Sequence, residues 1–144
     1  MTAVSGTTLN EDGHLEEATI YLSRGTIDRV RLGPLDHGDA AEPVRLPEGH
    51  ILAPGFVDLH CHGGFGVDFP TSDAGSAREA ISRIHQTGTT TLLASLVTAA
   101  PAALVAGAER FAALAEAGLI AGIHLEGPFL SSVRCGAQNP DRTG

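Results

Sequence analysis

The sequence predicts an α/β fold, in which a small all-β part precedes alternating strands and helices. Residues 1–53 contain short β-type stretches such as Thr26–Leu32, bounded by glycine-containing turns. Residues 33–49 are rich in Pro, Gly, Asp and His, which fits an exposed connection or a weakly ordered strand, and we interpret them as a linker. The rest alternates strand-like and helix-like stretches, as parallel βαβ units do. We therefore divide the chain into a β domain segment, 1–53, and an α/β segment, 54–144.

The α/β segment is predicted to contain three strands and two helices. The strands are expected at residues 56–60, 90–97 and 120–125. The first helix is predicted to begin near Ser76, with Ser76 and Glu79 as a capping box, and to end at Gly88. The second is predicted to begin at Pro101 and to stop at Gly118. The predicted buried faces are Ala77, Ala80, Ile81 and Ile84 in the first helix and Leu104, Ala108, Phe111 and Ala115 in the second.

Charge and composition limit the classes of molecule that this chain is expected to bind. The formal net charge is -8, from 17 acidic and 9 basic residues without a run of like charge, which argues against nucleic acid and anionic membranes and favours a small molecule. Residues 87–108 are uncharged, but Gly88 and Pro101 break them, so no membrane span is predicted, and residues 1–14 show no signal peptide. Two isolated cysteines favour a reducing compartment, the cytoplasm by default.

His60 and His62 form the first candidate site. Side chains alternate along a strand, so these two imidazoles share one face with Asp58, while the apolar companion face is expected to pack against surrounding helices. Imidazoles at this spacing suit zinc or another borderline divalent ion, and the glycine-rich stretch 63–66 would allow close approach of a ligand. The alternative is that both are loop histidines without a ligand.

Glu126 forms the second candidate site, two residues after His124 on the same predicted strand face. A buried glutamate is costly unless it is paired or bound to a metal, so this carboxylate is a plausible partner for the two histidines. The alternative is a structural glutamate that accepts hydrogen bonds from amides of the Gly127-Pro128 turn.

Weaker candidates surround these residues. Asp58 is interpreted as a ligand, as a partner that orients a histidine, or as half of a salt bridge. Cys61, on the apolar face, is predicted to be a core residue. Arg134 is either a phosphate contact or a solvated loop residue. The remaining histidines are predicted to be at the surface: His14, His37, His50 and His85.

Two stretches carry a resemblance to a known family. Residues 54–64 resemble the metal-binding first strand of the amidohydrolase superfamily, and residues 124–130 with 136–140 resemble the N-acetylglucosamine-6-phosphate deacetylases. The resemblance implies a specific fold. We expect an incomplete metal-dependent hydrolase TIM-type barrel, its first three βα strands, preceded by a small β-sandwich-like segment.

The resemblance also implies an activity, which is hydrolysis of the acetamide of N-acetylglucosamine 6-phosphate to glucosamine 6-phosphate and acetate. It implies a divalent ion, Zn or Fe, held by Glu126 with the pair His60 and His62, and an amino-sugar phosphate bound by Ala137 and Gln138. Many relatives have histidine where Gln138 stands. The resemblance further implies a homodimer for the full-length protein.

The catalytic base that the resemblance implies is an aspartate on the last strand of the barrel, and it is expected beyond Gly144, the last residue of this sequence. The chain has 144 residues, whereas a complete barrel of this type needs roughly 250. Because an open parallel barrel exposes strand edges and its interior, we expect the chain alone to be poorly folded or aggregation-prone and to lack deacetylase activity.

Two alternative functions remain. A cyclic-amide hydrolase would usually need a carboxylated lysine, and the sequence contains no lysine. The second alternative is that the chain is a shortened, non-catalytic protein that binds metal or interacts with a partner.

Overall fold

The structure, a computed structural model, describes residues 1–36, 38 and 42–142, and it divides at Pro54/Gly55 into two compact units. Each unit has its own buried cluster. The cluster of the first unit consists of Ala3, Tyr21 and Leu35. The larger cluster of the second unit lies between helices and strands and includes the ring pair Phe69 and Phe111, whose centroids are 5.3 Å apart. The two segments therefore have separate cores.

The first unit is a five-stranded sheet. Its strands are β1 (Thr2–Leu9), β2 (Leu15–Ser23), β3 (Thr26–Leu32), β4 (Glu42–Arg45) and β5 (Ile51–Leu52). The first three pair antiparallel, while β4 and β5 both run parallel to β1. The described residues of this unit form one layer, so the predicted sandwich-like arrangement is limited to a single sheet.

Strand β4 lies inside the stretch 33–49, so the linker interpretation is wrong for these four residues and the alternative of a strand holds there. Its partner is β1, about forty positions earlier, with Thr2 opposite Glu42 and Val4 opposite Val44. A short strand of this kind is stabilised by pairing with a strand that is distant in sequence. Its four residues, flanked by turn-forming residues, are too few to show an alternation of apolar and polar side chains.

The second unit contains three parallel strands joined by helices, as predicted. Its elements are β6 (Phe56–Cys61), β7 (Gly63–Gly64), β8 (Val67–Asp68), α1 (Ala74–Gln86), β9 (Thr89–Val97), α2 (Pro101–Glu116), β10 (Gly122–Glu126) and a 3-10 turn (Pro140–Arg142). The sheet order is β10-β9-β6, and β7 and β8 form a separate small hairpin. Among the described residues, strands β6 and β10 are therefore edges, and the barrel is not closed. Neither of the helices described is long and apolar enough to cross a membrane.

Helix α1 begins earlier than the sequence predicted. Its N-cap is Asp73, whose Oδ1 accepts hydrogen bonds from the backbone N–H groups of Gly75 and Ser76 at 2.8 and 2.9 Å. The Ser76 hydroxyl donates to the other carboxylate oxygen at 2.7 Å. The predicted capping box of Ser76 and Glu79 is wrong, because Ser76 lies in the first turn and the carboxylate three residues earlier satisfies the free N–H groups.

Asp73 makes the stability of α1 pH-dependent. The Ser76 hydroxyl, followed by the backbone N–H groups of Ser76 and Gly75, holds the pKa of the Asp73 carboxyl below its usual range. Because the pKa is lowered on folding, this stabilisation is present above the unfolded pKa and is lost as the pH falls through the folded one.

We expect Asp73→Ala to lower the melting temperature at neutral pH, and the difference from wild type to shrink once the pH falls below ~4. Melting curves followed by circular dichroism would measure it. The matched control is Asp73→Asn, which retains an acceptor oxygen without the charge. At neutral pH, the melting temperature of Asp73→Asn should lie between those of wild type and Asp73→Ala. If wild type and Asp73→Ala differed by the same amount at every pH, the prediction would be wrong.

The helices bury the predicted stripes with one adjustment. In α1, all four predicted residues are buried. In α2, Leu104 and Phe111 are buried as predicted, but Gly107 and Leu114 are buried in place of Ala108 and Ala115, which are half-buried. The contact face is rotated by one position, because the larger Leu114 side chain enters the core and Gly107 lets the helix approach Leu96 on β9.

His85 is not the surface residue that was predicted. The ring is half-buried, and Nδ1 lies 2.6 Å from the Thr89 carbonyl oxygen while Nε2 lies 2.8 Å from that of Leu119. It thereby links the end of α1 to the start of β9 and to the loop before β10. His14 and His50 are exposed as predicted, and His37 lies outside the described residues.

Candidate metal site

Three side chains of metal-binding type meet at one edge of the β10-β9-β6 sheet. His60 is the second-last residue of strand β6, His62 follows that strand directly, and Glu126 is the last residue of β10. Carboxyl ends of parallel strands lie at the same edge of a sheet, and only β9 separates the two strands. The alternation inferred from the sequence therefore places these groups side by side.

The donor atoms face one another closely. His60 Nε2 lies 2.8 Å from His62 Nε2, and Glu126 Oε2 lies 3.3 and 3.1 Å from these two nitrogens. The three residues form a group that could hold a metal ion. An ionised carboxylate only accepts hydrogen bonds, and a neutral imidazole has one acceptor nitrogen. Three acceptor atoms that face one another need either protons shared between them or a cation. One cation can bind to all three.

The chemistry of this donor set fits a divalent ion. Two imidazole nitrogens and one carboxylate oxygen are a zinc-type set, and three protein ligands leave a position for water or substrate. The three side chains are 52%, 37% and 30% exposed, in the order His60, His62 and Glu126, so the site is open on one side. His62 Nδ1 is buried without a hydrogen-bond partner among the described residues, so the hydrogen bonds of this ring to them are made through Nε2, and the ring also packs against that of His60 at a centroid distance of 4.8 Å.

The alternatives weighed for these residues can be compared with the geometry. Both imidazoles point at the same carboxylate oxygen, and either hydrogen bonds among the three side chains or a cation held between them would account for this convergence. The Glu126 carboxylate points to the histidines. Within the described part of the chain, this orientation is the one expected of a metal ligand and differs from that of a carboxylate bonded to the amides of the Gly127-Pro128 turn.

Cys61 lies on the opposite face of β6. The side chain is buried, and burial, opposed by a hydrogen bond at Gly63 and aided by the charge of Asp58, raises the pKa of the thiol. A thiol with a raised pKa stays protonated and is a poor metal ligand, consistent with a core role.

The remainder of that face differs from the expectation that helices cover it. Val57 and Leu59 are 60% and 61% exposed. The expectation is wrong for these two residues because β6 is the outer strand of the sheet, while α1 and α2 pack towards β9 and β10.

The stretch predicted to bind a sugar phosphate lies beside the candidate metal group. A cleft of about 490 Å³ is lined by His62, Val97, Thr98, Glu126, Ala137, Gln138 and Asn139. Gln138 is half-buried, and its Oε1 accepts a hydrogen bond from the Thr98 backbone N–H at 2.9 Å. Ala137 is exposed next to it. The structure thus brings all five predicted site residues to one face of the second unit.

The catalytic base that the resemblance implies is an aspartate, and none of these five residues is an aspartate. The resemblance places it beyond Gly144, and Gly144 itself lies outside the described residues. Glu126 is the single carboxylate among the described residues that line the cleft, and it points at the two histidines. The expectation that the base lies beyond Gly144 therefore stays a prediction.

The weaker candidates lie apart from the donor atoms. Asp58 Oδ1 accepts a hydrogen bond from the His60 backbone N–H at 3.1 Å, which places it below the site, and Arg134 is exposed. His124 Nδ1 lies 3.0 Å from the Ser95 hydroxyl, with its ring 4.8 Å from that of His60.

Sequence reasoning missed Ser95 and Thr98. Thr98 directly follows β9, and the rule that functional residues gather at the C-terminal ends of barrel strands would have drawn attention to it.

Comparison with protein families places the geometry in context. The profile of the family described as Amidohydrolase family matches residues 51–142, which is most of the chain. The chain is 34% identical over 105 residues to N-acetylglucosamine-6-phosphate deacetylase of Bacillus subtilis (strain 168), covering 68% of this chain and 26% of that protein. It is 41% identical over 96 residues to the enzyme of the same name from Homo sapiens, covering 62% and 23%.

Solved structures agree over almost the whole chain. The N-acetyl-D-glucosamine-6-phosphate deacetylase of Mycobacterium smegmatis superposes with a TM-score of 0.83 at 34% identity, covering 100% of this chain and 37% of that one. A mutant of the M. smegmatis enzyme, solved in complex with N-acetyl-D-glucosamine-6-phosphate, superposes with a TM-score of 0.81 and coverages of 99% and 37%. The chain therefore spans between about a quarter and two fifths of the length of these relatives.

Proposed function

Because this chain belongs to the amidohydrolase family and is a homologue of the N-acetylglucosamine-6-phosphate deacetylases, we propose that it contributes to hydrolysis of the acetamide of N-acetylglucosamine 6-phosphate. The products would be glucosamine 6-phosphate and acetate. One observation carries the proposal: the ligand-type atoms of His60, His62 and Glu126 converge at the wall of the cleft that Gln138 also lines.

His60, His62 and Glu126 are the residues that would hold the ion, Zn or Fe. A divalent ion supplies Lewis acidity for the acetyl carbonyl and a bound water of lowered pKa. The chain's own contribution would be the donor set: the two imidazoles would bind through Nε2, and the carboxylate would offset part of the ion's charge. Their exposed side faces the cleft, where an acetamide can approach.

Gln138 is proposed to bind the sugar phosphate. Its Oε1 is occupied by the Thr98 N–H, so its amide NH2 group has a fixed direction and is available to donate hydrogen bonds to anionic or hydroxyl oxygens. A glutamine amide donates through two N–H bonds and carries no charge, whereas the histidine that many relatives have at this position donates through one ring nitrogen when neutral and gains a positive charge when protonated. Ala137, exposed beside it, leaves the backbone of this stretch accessible to the ligand.

The cleft lining also limits what the chain can do by itself. The role of Glu126 in holding the ion leaves no carboxylate among the described lining residues to accept a proton from water. A base located beyond Gly144 would supply that function in a longer protein. We therefore expect the chain on its own to bind the ion without measurable release of acetate.

The proposal is tested with the purified chain loaded with Zn2+ or Fe2+. Metal content is measured first, and melting curves then compare N-acetylglucosamine 6-phosphate, unphosphorylated N-acetylglucosamine and a cyclic amide such as dihydroorotate. We expect the phosphorylated sugar alone to raise the melting temperature, because ligands that bind the folded state stabilise it. Gln138→Leu should keep its metal and lose this shift. A chain that binds no metal, or one stabilised by the cyclic amide instead, would contradict the proposed function.

A further inference from the structure

We propose that Thr98 is a positioning residue that holds the metal-binding end of β10 and the sugar-phosphate stretch in one arrangement. The inference deepens the proposed function and rests on it for the roles of Glu126 and Gln138. Thr98 itself touches no ligand-type atom of the metal group. It acts through two hydrogen bonds to parts of the chain that are distant in sequence.

Both hydrogen-bond donors of Thr98 are used. The hydroxyl Oγ1 donates to the Glu126 carbonyl oxygen at 2.7 Å, and the backbone N–H donates to Gln138 Oε1 at 2.9 Å. These partners are 28 and 40 positions later in the chain. The residue is 5% exposed, so water competes little for either bond. One buried residue therefore contacts a proposed metal ligand and a proposed substrate-binding residue at the same time.

The backbone next to Glu126 is built around this contact. Gly127 has a φ of +103°, a backbone angle that residues other than glycine rarely adopt. A Cβ atom at this position would overlap Thr98 Oγ1. Only glycine lets the chain pass so close to the hydroxyl. The bond from Thr98 to Glu126 is thus enclosed by the turn that ends β10, and it is made by the short side chain of a buried residue.

The consequence for the site is geometric. Holding the Glu126 carbonyl restrains the backbone from which this side chain projects, and thereby the region in which Oε2 can meet the two imidazoles. Fixing Gln138 Oε1 fixes where its NH2 group points into the cleft. Partners that orient ligands typically change metal affinity by about 10- to 100-fold when they are removed.

Thr98→Val removes the hydroxyl at nearly constant shape and keeps the backbone N–H. We expect the Leu130 amide, bonded to the Pro128 carbonyl in the turn after Glu126, to exchange its hydrogen about tenfold faster in the metal-free chain. Co2+ affinity, measured by visible absorption, should fall about tenfold. Thr98→Ser should restore both values. Thr90→Val makes the same chemical change at an exposed position of β9 and should alter neither.

A second variant tests the other bond and keeps the inference falsifiable if Thr98→Val fails to fold. In Gln138→Leu, the Thr98 amide loses its acceptor and should exchange at least about tenfold faster in the metal-free chain. Unchanged exchange at Leu130 in folded Thr98→Val, or at Thr98 in Gln138→Leu, would overturn the inference. Failure of the proposed function is seen separately, as a wild-type chain that binds no Co2+, and the exchange rates still decide the role of Thr98.

Discussion

Replacing Glu126 by glutamine is expected to lower divalent-ion affinity by at least about 100-fold while leaving the fold intact. The glutamine amide has nearly the same shape as the carboxylate but no charge, so the attraction between a cation and Oε2 is lost. The carboxylate is only 30% exposed, which makes its charge more effective there than on the open surface. Titration with Co2+, followed by its visible absorption, measures the affinity.

The charge change has a matched control. Glu116→Gln makes the identical substitution at the exposed end of α2 and should leave Co2+ affinity unchanged. His60→Asn removes one of two imidazoles and should weaken binding less than Glu126→Gln, because His62 and the carboxylate remain. Melting curves of the metal-free variants show whether the fold persists. Full metal content in Glu126→Gln would show that our assignment of this residue is wrong.

The sequence was sufficient for the parts of the site that depend on strand periodicity. Alternation along β6 and β10 places His60, His62 and Glu126 on one face of the sheet, and parallel pairing brings the two strand ends to one edge. The order of strands and helices in the second unit follows from the same reasoning. These features depend on local patterns, which a single sequence displays directly.

Features that depend on contacts between distant residues were not predictable. The role of Thr98 needs Gln138 to return beside β9, and the position of β4 depends on pairing with β1. His85 has its place because two carbonyl groups come within reach of one ring. In each case the local sequence gives no signal for the contact, because tertiary packing determines which residue or strand becomes the partner. Asp73 is different, since the capping signal was local but a second plausible signal at Ser76 competed with it.

The second large effect is expected at strand β6, which we predict to drive self-association of the purified chain. Val57 and Leu59 are 60% and 61% exposed, and β6 pairs with a neighbour on one side only among the described residues. An edge strand with unpaired backbone groups and exposed apolar side chains is a template for pairing with another chain. Helix α2 also exposes an apolar side chain, Val105 at 57%, but its backbone bonds are made within the helix.

Sedimentation velocity over a range of concentrations distinguishes these surfaces. The wild-type chain should form species larger than a monomer, and the double variant Val57→Lys, Leu59→Lys should be largely monomeric, because two charges at adjacent outward positions of an edge strand oppose pairing. Val105→Lys, which replaces one exposed apolar side chain on a helix, should associate like the wild type. Since positions 57 and 59 face away from His60, Co2+ affinity of the double variant should remain within about threefold of wild type, the ordinary scale of a surface substitution. Monomeric wild type, or equal association by all three proteins, would show that the exposed face of β6 does not act as the contact.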